Sequence, residues 1–265
     1  MIGKKYYKKI KEMKVYSRSQ AMEAHITKDL IDHSCLVELE GAPPILYIED
    51  QHPALEQLPL LINKVTFNAS NRAANKGQKS ILFGAVNGKI NKLGFCTQGA
   101  LYSNNPELDY ILCNDFAIAF DNILRDKLPQ RHKVGKVLID KQNLHSQYRF
   151  CKTNYTSGII NVDSAFNYHV DDFNLDNTYS SMVVFKRDMI GGHLIFPEYG
   201  IGFKLNNQSL IHFCGKKLLH GVSPIEKLDE GGYRISVVYY ASKDLNHCLP
   251  YEQELNKAKS KLYVR

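Results

Sequence analysis

The sequence predicts an α+β fold in which a β-sandwich or barrel is buttressed by helices, and three stretches carry that prediction. From about residue 148 the chain turns into short strand-like runs separated by turn residues, the texture of a sandwich or barrel. Residues 106–128 repeat apolar side chains every three or four positions, the period of an amphipathic helix. The tail "YEQELNKAKSKLYV" reads as a closing helix.

In chain order, a run of six lysines over residues 4–14, interleaved with Tyr6 and Tyr7, predicts a solvated helix face, with a nucleic-acid-contacting arm as the alternative. "VELEGAPPILYIED" (37–50) reads as a turn over Gly41 to Pro44 that leads into a short strand. "NASNRAANKGQKSILFGAVNGKIN" (68–91) is rich in Asn, Gly and Lys and predicts a long loop or loose hairpin ending in the strand "SILFGAV". Loops of that length inside a domain are often functional. The helix over 106–128 places Leu108, Ile111, Leu112, Phe116, Ala119, Phe120, Ile123 and Leu124 toward a sheet, with Pro106 near its start and Pro129 as its stop. The strand series then runs through "TYSSMVVF", "GGHLIFPEYG", "IGFKL", "SLIHFC", "KLLHGV" and "YRISVVYYA". There is no internal repeat. The expected organisation is one domain over 1–265, with helical and loop elements in 1–147, the β core in 148–242 and a C-terminal helix in 243–265.

At 265 residues the chain can bury a substantial core, and 44% hydrophobic against 23% charged residues exclude disorder as the default. The net charge of +7 favours an anionic partner, nucleic acid or a small anionic substrate. Cysteines at 35, 96, 113, 151, 214 and 248 form no Cys-x-x-Cys pair, so neither a zinc site nor a disulfide framework is expected, and a reducing, intracellular setting is the simpler inference. The basic N-terminus has no apolar core behind it, unlike a secretory signal, and no apolar run is long enough to cross a bilayer. A soluble protein with no obligate protein partner is expected.

Chemistry gathers in "FNYHVDDFN" (166–174). In an extended strand His169 and Asp171 project to one side while Val170 and Asp172 project to the other. His220 follows in "LLHGVSP", and Arg234 in "YRISVVYY", where alternation sets Arg234, Ser236, Val238 and Tyr240 on one face. Two histidines and a carboxylate with open positions suit non-haem Fe(II). A guanidinium beside a hydroxyl suits a carboxylate, whose two oxygens match the fork. Asp172 is turned away from His169; His193 and His212 lack the downstream Arg-x-Ser and read as structural or substrate-facing histidines.

The ordered set, His-x-Asp on a strand, about fifty residues of short strands, His-Gly, then Arg-x-Ser, resembles the Fe(II)/2-oxoglutarate-dependent dioxygenases. That resemblance implies a double-stranded β-helix (jelly-roll, cupin-like) core, with Fe(II) as cofactor and 2-oxoglutarate and O2 as co-substrates. It implies His169, Asp171 and His220 as iron ligands, and Arg234, assisted by Ser236, on the distal carboxylate of 2-oxoglutarate. "NYTSG" (154–158) is similar to a stretch ahead of His-x-Asp in many of these enzymes, so Asn154 or Tyr155 touches the co-substrate, or the stretch is a plain turn. "GGHLIFPEYG" and its continuation resemble the TET/JBP-like oxygenases, which hydroxylate methyl groups of 5-methylcytosine or thymine in nucleic acid; the match covers roughly residues 150–241. His193 stands where that group commonly has an acidic residue. "NRAANKGQKSILFG" (71–84) is faintly similar to their basic loop, which implies DNA as partner and Arg72, Lys76 and Lys79 on its phosphates. Prolyl hydroxylase relatives share Gly-Gly-x-Leu, so a hydroxylase of a protein side chain or small molecule stands as the alternative. So does a catalytically silent, nucleic-acid-binding barrel.

Overall fold

A computed structural model of the chain describes residues 2–10, 21, 29–49, 55–69 and 79–262. The first elements in chain order are β1 (Gly3–Tyr7), β2 (Asp29–Ile31), β3 (Cys35–Leu39), β4 (Ala42–Ile48), α1 (Leu58–Ile62), β5 (Asn68–Ala69), β6 (Lys79–Val86) and β7 (Thr97–Gln98). Helices α2 (Ala100–Asn104), α3 (Pro106–Ile111), α4 (Ala117–Lys127) and α5 (Pro129–Lys141) follow. Then come β8 (Ser157–Val162), β9 (Phe166–His169), β10 (Ser180–Arg187), β11 (Met189–Gly191), β12 (Leu194–Phe196), β13 (Ile201–Phe203) and β14 (Ser209–Phe213). The last are β15 (His220–Val222), β16 (Ile225–Lys227), β17 (Tyr233–Tyr240) and α6 (Tyr251–Leu262). The chain forms two compact units, each assembled from three stretches.

The first unit takes Met1–Ser80, Ile160–Asp172 and Ser180–Val238. One of its sheets runs β1-β3-β4-β14-β10-β17-β8 and another β2-β13-β12-β15-β9; β11 and β16 pair on their own. Val37, Ile45, Met182 and Ile211 from the larger sheet meet Leu194, Phe196, Ile201, Phe203 and Val222 from the smaller one in a common core. Burying each such side chain contributes roughly 1.5–3 kcal/mol. β10 is buried over Ser180–Phe185, so both its faces are covered, and its apolar part Met182–Phe185 shows no alternation with polar residues. Two facing sheets of short strands make the double-stranded β-helix.

Two local expectations are corrected here, and a third holds. Gly3–Tyr7 is a strand parallel to β3, with Gly3 opposite Cys35 and Tyr7 opposite Leu39; pairing to that neighbour supplies a partner that a charge run does not reveal. Residues 11–14 of the lysine run lie outside the described residues. The turn predicted over 41–44 is confined to Glu40 and Gly41, because β4 begins at Ala42 and takes in Pro43 and Pro44. They sit where the β3–β4 register shifts between Val37 and Leu39, a place where the ladder does not require their missing N–H groups. Segment 68–91 does start as a hairpin, with Asn68 opposite Ser80 and Ala69 opposite Lys79.

The second unit takes Ile81–Ile159, Phe173–Tyr179 and Tyr239–Arg265. Tyr239 is its aromatic hub, with ring centroids of Phe83 at 5.1 Å, Phe120 at 5.3 Å and Tyr155 at 5.5 Å. The helix expected over 106–128 is interrupted by a π-type turn at Leu112–Phe116, and the Tyr239 hydroxyl donates to the Leu112 carbonyl there (3.1 Å). Asn105 caps the start, accepting from the Leu108 N–H at 3.1 Å. Pro129 ends α4 as expected, yet it also opens α5, since proline fits the first turn of a helix.

Cys96 and Cys248 are joined by a disulfide across 152 residues of sequence. Paired spacing could not reveal it, because the fold and not the local sequence brings these two positions within 5.7 Å at Cα. Beside it the buried Glu254 carboxylate accepts from the backbone N–H groups of Cys96 (3.1 Å) and Leu249 (2.8 Å), fastening α6. No helix among the described residues is long and apolar enough to cross a membrane.

Candidate active site

Antiparallel pairing of β9 with β15 sets His169 opposite His220, and their ring centroids lie 4.4 Å apart. Each imidazole is oriented by a backbone carbonyl two residues earlier. His169 Nδ1 lies 2.7 Å from Asn167 O, and His220 Nδ1 lies 2.8 Å from Leu218 O. A carbonyl can only accept, so Nδ1 carries a proton in both rings, which leaves Nε2 as the atom that can face a metal. Both Nε2 atoms turn toward Asp171 Oδ1, at 3.6 Å from His169 and 3.7 Å from His220.

The carboxylate reaches this place by a route other than simple alternation. β9 ends at His169, and Asp171 lies beyond it, its N–H donating to Gly215 O at 3.0 Å. A Cβ on Gly215 would fall 2.0 Å from Asp171 Oδ2, so the carboxylate depends on that missing side chain. Asp172 points elsewhere and pairs with Lys216 at 2.8 Å, its side chain 73% exposed.

The site is closed on one flank and open on the other: side-chain exposure is 6% for His220, 24% for Asp171 and 41% for His169. Phe213 and Phe196 wall His220, with ring centroids at 4.9 and 6.2 Å. Burial, with the neighbouring His169, pushes the His220 pKa down to about 4, so its imidazole is the neutral, ligating form at pH 7. The three side chains offer ligand atoms that all lie within 4.8 Å of one another. The separations of 3.6 and 3.7 Å fall inside the ~4.2 Å that two donors, each ~2.1 Å from a common ion, can span. Two imidazoles and one carboxylate on one side, with the other side open, fit Fe(II) by donor type and by arrangement.

Arg234, on β17, is 1% exposed, and its Nε, Nη1 and Nη2 have no hydrogen-bond partner among the described residues. Burial pulls its pKa down to about 10, and the charge of Asp163 opposes that fall. An orphaned buried guanidinium is costly unless an anion meets it. Ser236, two residues on, shares its face by strand alternation and lies 3.4 Å from Asn161 Nδ2. Gly192 lies against the arginine stem: at φ +69° it is in the left-handed region, and a Cβ there would come within 2.7 Å of Arg234 Cδ and Nε.

Other residues singled out in the sequence have these positions. Asn154 and Tyr155 belong to the second unit; Asn154 donates from its backbone N–H to Asp121 Oδ1 (3.0 Å) and from Nδ2 to His132 O (2.9 Å), and Tyr155 packs on Tyr239. Lys79 begins β6 and is exposed, while Arg72 and Lys76 lie outside the described residues. His212 is buried with Nδ1 2.6 Å from Ser181 Oγ, and its pKa falls to about 3 through desolvation. The His193 backbone N–H donates to Ser223 Oγ at 2.9 Å. Sequence reasoning did not single out Asp163 or Gly215, and it quoted Gly192 without a role. A glycine after "HFC" and a pair of glycines before "HLIF" were the only available signals.

No family model matches the chain, and no curated protein matches it. Among solved structures, the chain is similar to NgTET1 in complex with 5mC DNA, at 15% identity over 98% of this chain and 90% of that one, with a TM-score of 0.63. It is also similar to a 2OG-Fe(II) oxygenase family oxidoreductase from Burkholderia pseudomallei (15% identity, 75% and 88% covered, TM-score 0.45). A third is a prolyl hydroxylase in complex with a hypoxia inducible factor oxygen degradation domain peptide fragment from Trichoplax adhaerens (13% identity, 77% and 86% covered, TM-score 0.40). The likeness to NgTET1 spans nearly the whole of both chains, and what it establishes is a shared fold.

Proposed function

We propose that the protein is an Fe(II)/2-oxoglutarate-dependent dioxygenase that hydroxylates the methyl group of a 5-methylpyrimidine, thymine or 5-methylcytosine, in DNA. The observation that carries the reading is one unit holding both the His169–Asp171–His220 cluster and a buried Arg234 whose guanidinium nitrogens have no hydrogen-bond partner among the described residues. His169, Asp171 and His220 would hold the iron. When bound, the iron supplies dioxygen activation, with 2-oxoglutarate giving up carbon dioxide and two electrons as it becomes succinate.

The chain's own residues supply orientation and exclusion of water. Arg234 meets the distal carboxylate of 2-oxoglutarate with its fork, and Ser236 offers a hydroxyl on the same strand face. Phe196 and Phe213 keep the His220 flank dry, so the methyl group is approached from the open flank beside His169. In a duplex that base is flipped out of its stack. The DNA assignment is supported by the fold shared with a protein crystallised on 5mC DNA and by the net charge of +7. Arg72, Lys76 and Lys79 as phosphate contacts belong to the same proposal.

Mass spectrometry of nucleosides from DNA incubated with protein, Fe(II), 2-oxoglutarate and ascorbate tests it. The expected product is a 5-hydroxymethylpyrimidine. If DNA stays unmodified while a peptide or free metabolite gains one oxygen, the substrate assignment fails and the chemistry survives.

A further inference from the structure

Arg234 is held by a residue outside the motif set. Asp163, immediately after β8, donates its backbone N–H to Arg234 O (2.7 Å), and its Oδ1 accepts the Arg234 backbone N–H (2.8 Å). It does so at φ +47°, a conformation that Asp and Asn tolerate better than other side chains. The second carboxylate oxygen, Oδ2, pairs with Lys227 Nζ at 2.8 Å. The carboxylate thus has a partner on each oxygen, neither of them the guanidinium. Gly192 leaves the Arg234 stem the room that a Cβ there would take. The fork has a counter-charge in its surroundings, and its nitrogens still have no hydrogen-bond partner among the described residues.

We propose that Asp163 is a positioning residue for the co-substrate: it locks the backbone of Arg234 and partly offsets the guanidinium charge through space, so that a dicarboxylate is held yet its dicarboxylate product can leave. The proposal rests on Arg234 as the carboxylate receptor. Shape and charge separate in two variants. Asp163→Asn keeps an oxygen for the Arg234 N–H and tolerates the positive φ, but removes a negative charge that repels the incoming anion. Asp163→Ala removes the acceptor as well and strains the backbone. A merely structural role would weaken binding in both; the two roles together give opposite signs.

The test is calorimetric titration of 2-oxoglutarate and succinate into Mn(II)-loaded protein, and of glutarate, which has the distal carboxylate without the 2-oxo group, into metal-free protein. Melting temperatures are read alongside. Asp163→Asn is expected to bind all three roughly 3–10-fold more tightly, and Asp163→Ala roughly 10-fold more weakly. Lys227→Met, at a side chain 46% exposed, leaves the fold intact and uncovers the Asp163 charge, so binding weakens roughly 2–3-fold. Asp163→Asn binding the ligands no more tightly than wild type, while Arg234→Ala abolishes binding, overturns the role of Asp163 alone. Wild type that binds none of the three, with Arg234→Ala indistinguishable from it, overturns the assignment of Arg234 and this inference with it.

Discussion

Removing the Arg234 fork tests what the buried charge is for. Arg234→Ala is expected to raise the 2-oxoglutarate requirement by tens to thousands of fold, the ~2–5 kcal/mol typical of losing a buried charged partner, in a titration of turnover against co-substrate. An unchanged requirement would assign the carboxylate to another cation. The arginine and its serine were legible because a strand has period two, and "YRISVVYY" forms one. The place of Asp171 beside the two histidines was legible only by spacing, since the strand that was to orient it stops at His169 and a backbone bond to Gly215 orients it instead. His212 gives a second expectation at this scale. Its folded pKa of about 3 lies below the unfolded value near 6.5, so between these values the unfolded chain binds more protons and stability falls as pH falls. Urea unfolding at pH 7 and pH 5 should show a loss of up to ~1.4 kcal/mol per pH unit from this group, which His212→Gln removes. An identical slope in the variant would place the acid sensitivity elsewhere, His193, pushed by burial to about 4, being the next group to examine.

Strands β10, β14, β15 and β17 follow the apolar runs of the sequence closely, because alternation and turn residues are local signals. The edge strand β1, helix α5 and the π-type turn were not legible. Each depends on a distant partner or on a residue with two meanings: β3 for β1, Pro129 as both stop and start, and the Tyr239 hydroxyl at Leu112 O. The Cys96–Cys248 bond is the extreme case, being set by tertiary structure alone. Cys248→Ser should lower stability by ~2–5 kcal/mol in chemical denaturation under non-reducing conditions, chiefly by freeing a long loop in the unfolded chain. A variant as stable as the disulfide-bonded protein would show that the Glu254 bonds suffice to fasten α6.

For the molecule as a whole, the double-stranded β-helix was legible from the order of motifs more than from any one of them, and its division into two units built from interleaved stretches left no compositional mark. Charge acts at this scale too. If DNA is the substrate, retention on it should weaken as salt rises, and neutralising Arg72, Lys76 and Lys79 together should reduce the slope of log K against log salt by up to about three contacts' worth. An unchanged slope would move the phosphate contacts to other cations. The central claim is that the His169–Asp171–His220 cluster and the fork on β17 together run 2-oxoglutarate chemistry. Carbon dioxide released from carboxyl-labelled 2-oxoglutarate, measured for wild type and His220→Ala with Fe(II) and methylated DNA present, tests it most directly. Wild type should release label, and the variant roughly 100-fold less or lower, because losing a ligand exceeds the ~10–100-fold cost of losing a group that merely supports one. Equal release by the two proteins, or wild type at the level of buffer, would contradict it.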